Sequence, residues 1–168
     1  MPAPSEFVAL YQREHARLVG TLGLLVGDRF LAEELAQEAL IRACRDWEKV
    51  RGLDRPAAWL HCVAINLAMS SHRRHRAEQR MLRRVSGRDS DAVHDPDTAT
   101  AETVRRALRQ LPIDLRAVVV LRFYADLSVT DTSAVLRIPE GTVKTKTRRA
   151  LTGLRDAGLS TTEVTDAL

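Results

Sequence analysis

Aromatic residues are scarce in this sequence, 4% of 168 positions, and glycine and proline supply only 8 and 6. The apolar 45% is therefore largely aliphatic and suits helices better than sandwiches or barrels, so an all-α fold is expected. The two cysteines, Cys44 and Cys62, fall inside apolar helical patterns without a Cys-x-x-Cys spacing. That argues against a disulfide framework or a closed zinc site and fits a reducing cytoplasm. No apolar run approaches the roughly 20 residues that span a bilayer, and the opening residues lack a basic segment followed by an apolar one. The sequence reads as soluble and cytoplasmic, with no membrane insertion. At this length it buries one moderate core or two small ones, too little for a large catalytic domain.

The net charge of +4 is unevenly placed: lysine and arginine outnumber aspartate and glutamate by 11 to 6 over residues 101–160, against 10 to 9 over 1–75 and 5 to 5 over 76–100. A local surplus is the electrostatic footprint of a polyanion partner, and equally of a soluble surface.

Apolar spacings of three, four and seven predict a helix over 5–26, with Ser5 as its N-cap, and a second over 30–50. A third opens at Pro56, where a missing N–H does no harm, and ends in the basic stretch His72 to Arg76. Residues 77–100 lose this periodicity and become polar and turn-rich, as a linker does. Beyond it, short helices are expected over 103–110 and 113–124. Ser128 and Asp131 form a capping-box-like start to a two-turn helix, and after Arg137, Ile138 and Pro139 a last helix runs from Glu140 to about Ala157. Two short helices around a tight break outline a helix-turn-helix. The expected organisation is two small helical domains, 5–76 and 101–158, joined by a flexible linker over 77–100, with a frayed tail over 159–168.

In the last helix Val143, Thr147, Ala150, Leu151 and Leu154 share one arc, and Lys144, Thr145, Arg148 and Arg149 the opposite one. Short hydroxyls and long cations suit the major groove. A charged face alone is more often merely solvated, but Thr142, Thr145 and Thr147 are poor choices for an exposed helix selected only for stability.

The stretch Glu33 to Ala43, the run Arg55 to Leu60, and Ala64 to Ala68 followed by basic residues resemble the first domain of bacterial sigma factors of the extracytoplasmic-function type. Leu111 and Pro112, Arg116 to Tyr124, Leu127 and Ser128, and Glu140 to Lys144 resemble the second. The matches lie in the right order and together span roughly 5–157. The resemblance implies a non-catalytic initiation subunit that binds core RNA polymerase, recognises and opens promoter DNA, and needs no cofactor. It places polymerase binding on Glu34, Leu35, Gln37 and Glu38, with the minus-ten element on Arg55, Trp59, His61, Asn66, Arg73 and Arg74. Melting without ATP needs a pocket for an unstacked base and cations for the strand's phosphates; the spacing of Trp59 with Val63 and Leu67 is equally that of a core residue. The minus-thirty-five element falls to Thr142, Lys144, Thr145, Arg148 and Arg149. Departures are Arg137 where the family commonly has glycine, Cys44 where an aromatic is common, and His61 where tyrosine or arginine is usual. An anti-sigma factor is the further partner the family implies, and the free protein would be a monomer.

Three other readings compete. A stand-alone helix-turn-helix regulator would not need the acidic face of the second helix and would usually dimerise. An enzyme using His15, His61 or His72 finds no phosphate loop, nucleophile elbow or His-Glu-x-x-His motif in the sequence. A helical adaptor would show no DNA-dependent activity with polymerase.

Overall fold

The computed structural model describes residues 4–83, 99–160 and 162–164; most of the expected linker lies outside them. Eight α-helices and one π-helical turn, with no strand, make up the described residues: α1 (Ser5–Val26), α2 (Arg29–Arg45), α3 (Trp47–Val50), α4 (Pro56–Arg83), α5 (Ala99–Gln110), α6 (Ile113–Val119) running into the π-helical turn Val120–Tyr124, α7 (Val129–Leu136) and α8 (Glu140–Asp156).

Local chemistry sets most boundaries. Gly27, at φ 76°, ends α1 in the left-handed conformation that glycine adopts without steric cost. Asp28 then caps α2, its side chain accepting from the Leu31 N–H at 3.1 Å. Ser5 is not a cap: Pro4 holds that position and Ser5 is already helical, with no side-chain cap bond. The helix expected over 30–50 breaks at Asp46 into α2 and α3. Periodicity passes over the break because Trp47 and Val50 remain buried in the same core as α2. α4 extends to Arg83, past the basic stretch expected to end it.

Leu18, Leu22 and Leu25 of α1 meet Ala32, Ala36 and Ala39 of α2 and Leu60, Ala64 and Ile65 of α4, all almost fully buried. The alanine stripe lets α2 lie close against α1, and each buried leucine contributes about 1.5–3 kcal/mol. Behind the linker, Val104, Leu108, Leu115, Val119, Ala150 and Leu154 form a second core. Leu159 and Val164 of the segment expected to fray belong to it, helped by reciprocal bonds between Ser160 and Glu163 at 2.7 and 3.1 Å; residues 161 and 165–168 of that segment lie outside the described residues.

The two helical halves are docked. Ala117, Leu121, Ala125 and Val135 from the second half enter the first half's core. Arg116, buried, reaches across to the Leu25 carbonyl at 2.8 Å while holding the carbonyls of Arg109 and Leu111 at 2.7 and 3.1 Å. α7 packs along α4, where the Cys62 thiol faces the Val135 carbonyl at 3.8 Å.

Candidate nucleic-acid interface

α8 separates its faces cleanly. Val143, Ala150 and Leu154 are buried, while Lys144, Thr145, Arg148 and Arg149 are exposed and Thr142 is half-buried. The Thr145 hydroxyl donates to the Gly141 carbonyl at 2.9 Å. α7 is fixed ahead of α8 by its cap: Ser128 Oγ accepts from the Asp131 N–H at 2.9 Å and donates to its carboxylate at 2.8 Å. Thr130 donates to Glu140 at 2.7 Å, tying the two helix starts together. Between them Arg137 occupies the left-handed region, φ 55° and ψ 45°, so the turn keeps the shape a glycine would give it.

α4 carries the other set of candidates. Arg55, Trp59, Cys62, Asn66 and Arg73 recur at helical spacing along one face. Arg55, exposed at the start of the helix, pairs with Asp131 of α7. Trp59 is half-buried against the first core. The Asn66 amide donates to the Cys62 carbonyl at 2.7 Å. Arg73 and Arg74 are exposed, Arg73 bonding Ser70 Oγ at 2.9 Å. His61 is not brought together with them. It lies on the opposite side of α4, 5% exposed, with Nε2 3.3 Å from the equally buried Glu14 of α1. Burial holds its imidazole below the usual histidine range, against the pull of the Glu14 carboxylate. Burial alone would raise Glu14, but Arg13 and His61 outweigh it and the carboxyl lies low. Asp131 is lowered by hydrogen bonds from Arg55 and Ser128.

On α2, Glu34 and Gln37 are exposed and Glu38 is half-exposed, paired with Arg42 at 2.8 Å; Leu35 is in the core beneath them. Phe30 and Ile41, 74% and 61% exposed, extend this face in both directions. Their signal in the sequence is the 30, 34, 37, 41 spacing, which continues the polar stripe with apolar ends. Asp131 and Glu14 carry no comparable signal as partners, each lying far in sequence from the residue it meets. Among the described residues no group of histidine, cysteine and carboxylates could hold a metal ion, and no helix is long and apolar enough to cross a membrane.

Comparison with known proteins agrees with this layout. Residues 10–78 match the family model for sigma-70 region 2 and residues 101–154 that for sigma-70 region 4. The ECF RNA polymerase sigma factor SigX of Bacillus subtilis (strain 168) is 32% identical over 161 residues, covering 89% of this chain and 81% of the relative. SigL of Mycobacterium tuberculosis, another ECF RNA polymerase sigma factor, is 35% identical over 158 residues, covering 88% and 85%. The fold matches that of the sigma factor RpoE in its complex with the anti-sigma factor NepR from Bartonella quintana, with a TM-score of 0.77 at 22% identity over 92% of this chain and 97% of that one. The chain belongs to the extracytoplasmic-function RNA polymerase sigma factors of the sigma-70 family. It is a sigma factor that directs transcription initiation.

Proposed function

We propose that the first half, residues 5–76 as a functional unit, docks on core RNA polymerase through α2 and engages the minus-ten element through α4, and that the unit 101–158 reads the minus-thirty-five element through α8. The protein acts without a cofactor or catalytic step of its own, as a cytoplasmic monomer until polymerase binds it.

The observation that carries this reading is the sorting of α8: on one arc Val143, Ala150 and Leu154 are buried and Leu151 partly so, and on the other Lys144, Thr145, Arg148 and Arg149 are all left to solvent. Arg148 and Arg149 suit guanine edges or phosphates, and the exposed Thr145 suits a thymine methyl. On α2 the exposed Glu34 and Gln37, with Glu38 beside them, offer carboxylates and an amide to a basic partner helix. Phe30 and Ile41 give the same face apolar anchors, the kind of residue that carries most of an interface's energy. On α4, Arg55, Asn66, Arg73 and Arg74 serve the displaced strand and its phosphates. Leu35 supports its face from the core, Trp59 packs half-buried against that core, and His61 acts from behind α4, through the packing of α1.

An anti-sigma factor is the further partner. A cleft of about 480 Å³ between α1 and α5, lined by Val19, Gly20, Gly23, Leu24, Arg109 and Tyr124, is where a segment of such a protein would enter between the halves.

The test is run-off transcription from a fragmented genomic library by core polymerase with and without this chain, followed by sequencing of the transcript ends. New start sites sharing two upstream elements are expected. A library transcribed identically in both cases overturns the proposal.

A further inference from the structure

Two neighbouring positions of the helix-turn-helix are filled against the chain's own stability. Arg137 sits at φ 55°, a left-handed conformation in which a Cβ is crowded and glycine is not. Four residues on, Gly141 lies in the first turn of α8, where a side chain would stabilise the helix, and a Cβ built there meets nothing within 4 Å. Each position holds the residue type that would suit the other.

Nothing in the described chain offsets either choice. Arg137 is exposed, and no described group pairs with its guanidinium. The acids of its own motif are engaged elsewhere, Asp131 with Ser128 and Arg55, and Glu140 with Thr130. Gly141 is exposed with open space before it, so no packing inside the protein excludes alanine. Locally unfavourable residues without internal compensation mark places where the gain lies in a partner.

We propose that Arg137 and Gly141 together form a contact for the DNA backbone at the edge of the groove that α8 enters. Arg137 supplies a cation to one phosphate, and Gly141 lets the sugar-phosphate chain approach the start of α8 more closely than a methyl group allows. A helix-turn-helix places the N-terminal end of its second helix against base edges, so the turn and first helical turn lie beside the groove's phosphate walls. The contact positions α8 and carries no sequence information of its own. It rests on the assignment of α8 to promoter reading.

The test uses full-length Arg137→Gly, Arg137→Lys, Gly141→Ala and Arg148→Ala, each reconstituted with core polymerase on a promoter fragment recovered by run-off selection and titrated over a range of salt. Arg137→Gly and Gly141→Ala are expected to raise the melting temperature of the free protein by about 2–4 °C while weakening promoter binding several-fold, by the same factor on intact and mutated minus-thirty-five elements. Arg137→Gly should also flatten the dependence of log affinity on log salt by about 0.9, the value of one phosphate, with Arg137→Lys retaining it. Gly141→Ala should leave that slope unchanged. Unchanged affinity and slope in both glycine exchanges, or a fall in melting temperature, overturns the inference. Arg148→Ala separates this failure from that of the underlying assignment. If it weakens the intact element roughly tenfold and the mutated one little, α8 reads DNA and only the backbone contact is lost; if it changes nothing, the assignment fails as well.

Discussion

Arg55, at the start of α4, is ion-paired with Asp131, in the first turn of α7, across 76 positions of sequence. A residue assigned to the minus-ten element is thereby joined to the cap of the helix-turn-helix. Around that pair α7 lies along α4, with the Cys62 thiol beneath Val135. In this arrangement part of the α4 face that carries Arg55, Cys62 and Asn66 is covered by the second half of the molecule.

Cys62 consequently reports on the docking. In a Cys44→Ser background, which removes the exposed thiol, Asp131→Lys should place two cations together and accelerate labelling of Cys62 by a soluble disulfide reagent several-fold. The ion pair is largely exposed and worth only about 0.2–1 kcal/mol by itself, so the change in labelling rate should exceed the change in global stability. Equal rates before and after the substitution would show that α7 does not shield Cys62.

The buried Glu14–His61 pair gives stability a pH dependence of definite sign. His61 has a folded pKa below its unfolded value of about 6.5, so the unfolded chain takes up a proton that the folded chain refuses. The contribution is complete above that value, and stability falls as pH drops through it. Glu14 and Asp131 have depressed carboxyl values, so the stability they add is lost only at lower pH, from about 4 downward. Urea titrations between these ranges should show a decline that His61→Gln flattens; a decline identical in the variant would assign it to another group.

Arg116 holds three carbonyls from two parts of the fold. Burial and the nearby Arg109 pull its guanidinium down to about 10, which leaves it charged at neutral pH. Replacing it by alanine strands the Leu25, Arg109 and Leu111 carbonyls and should cost about 3 kcal/mol or more in chemical denaturation. A loss below about 1 kcal/mol would mean that these bonds are replaced by water.

The approach of α1 to the π-helical turn can be tested at Gly20, where a Cβ would overlap Tyr124 Oη and lie 2.8 Å from Cζ. Gly20→Ala should destabilise by about 1–3 kcal/mol, and the cost should shrink when Tyr124 is also replaced by alanine. Additive effects would place the ring elsewhere.

How far the sequence alone reaches varies by element. The two faces of α8 were legible because a single helix's periodicity decides them, and Lys144 and Arg148 needed no distant partner to be placed. The exposed stripe of α2 is legible for the same reason, but the exposure of Phe30 and Ile41 is not, because apolar residues in a helical pattern are ordinarily core. His61 illustrates the limit: its register on α4 sets its direction, but the carboxylate it meets lies 47 residues earlier, and only packing brings Glu14 there. Docking of the halves was likewise out of reach, since Ala117, Leu121 and Val135 look like local core residues whichever side of the interface they join. The break at Asp46 was hidden by an apolar stripe that continues through it.

Gel filtration with and without bacterial core RNA polymerase reads whether this chain is a polymerase subunit without any promoter being known. The wild-type protein should co-elute stoichiometrically and Glu34→Lys/Glu38→Lys should not, with helicity unchanged because Glu34 is exposed and Glu38 partly so. A well-folded wild-type protein that elutes apart from the polymerase would contradict that role.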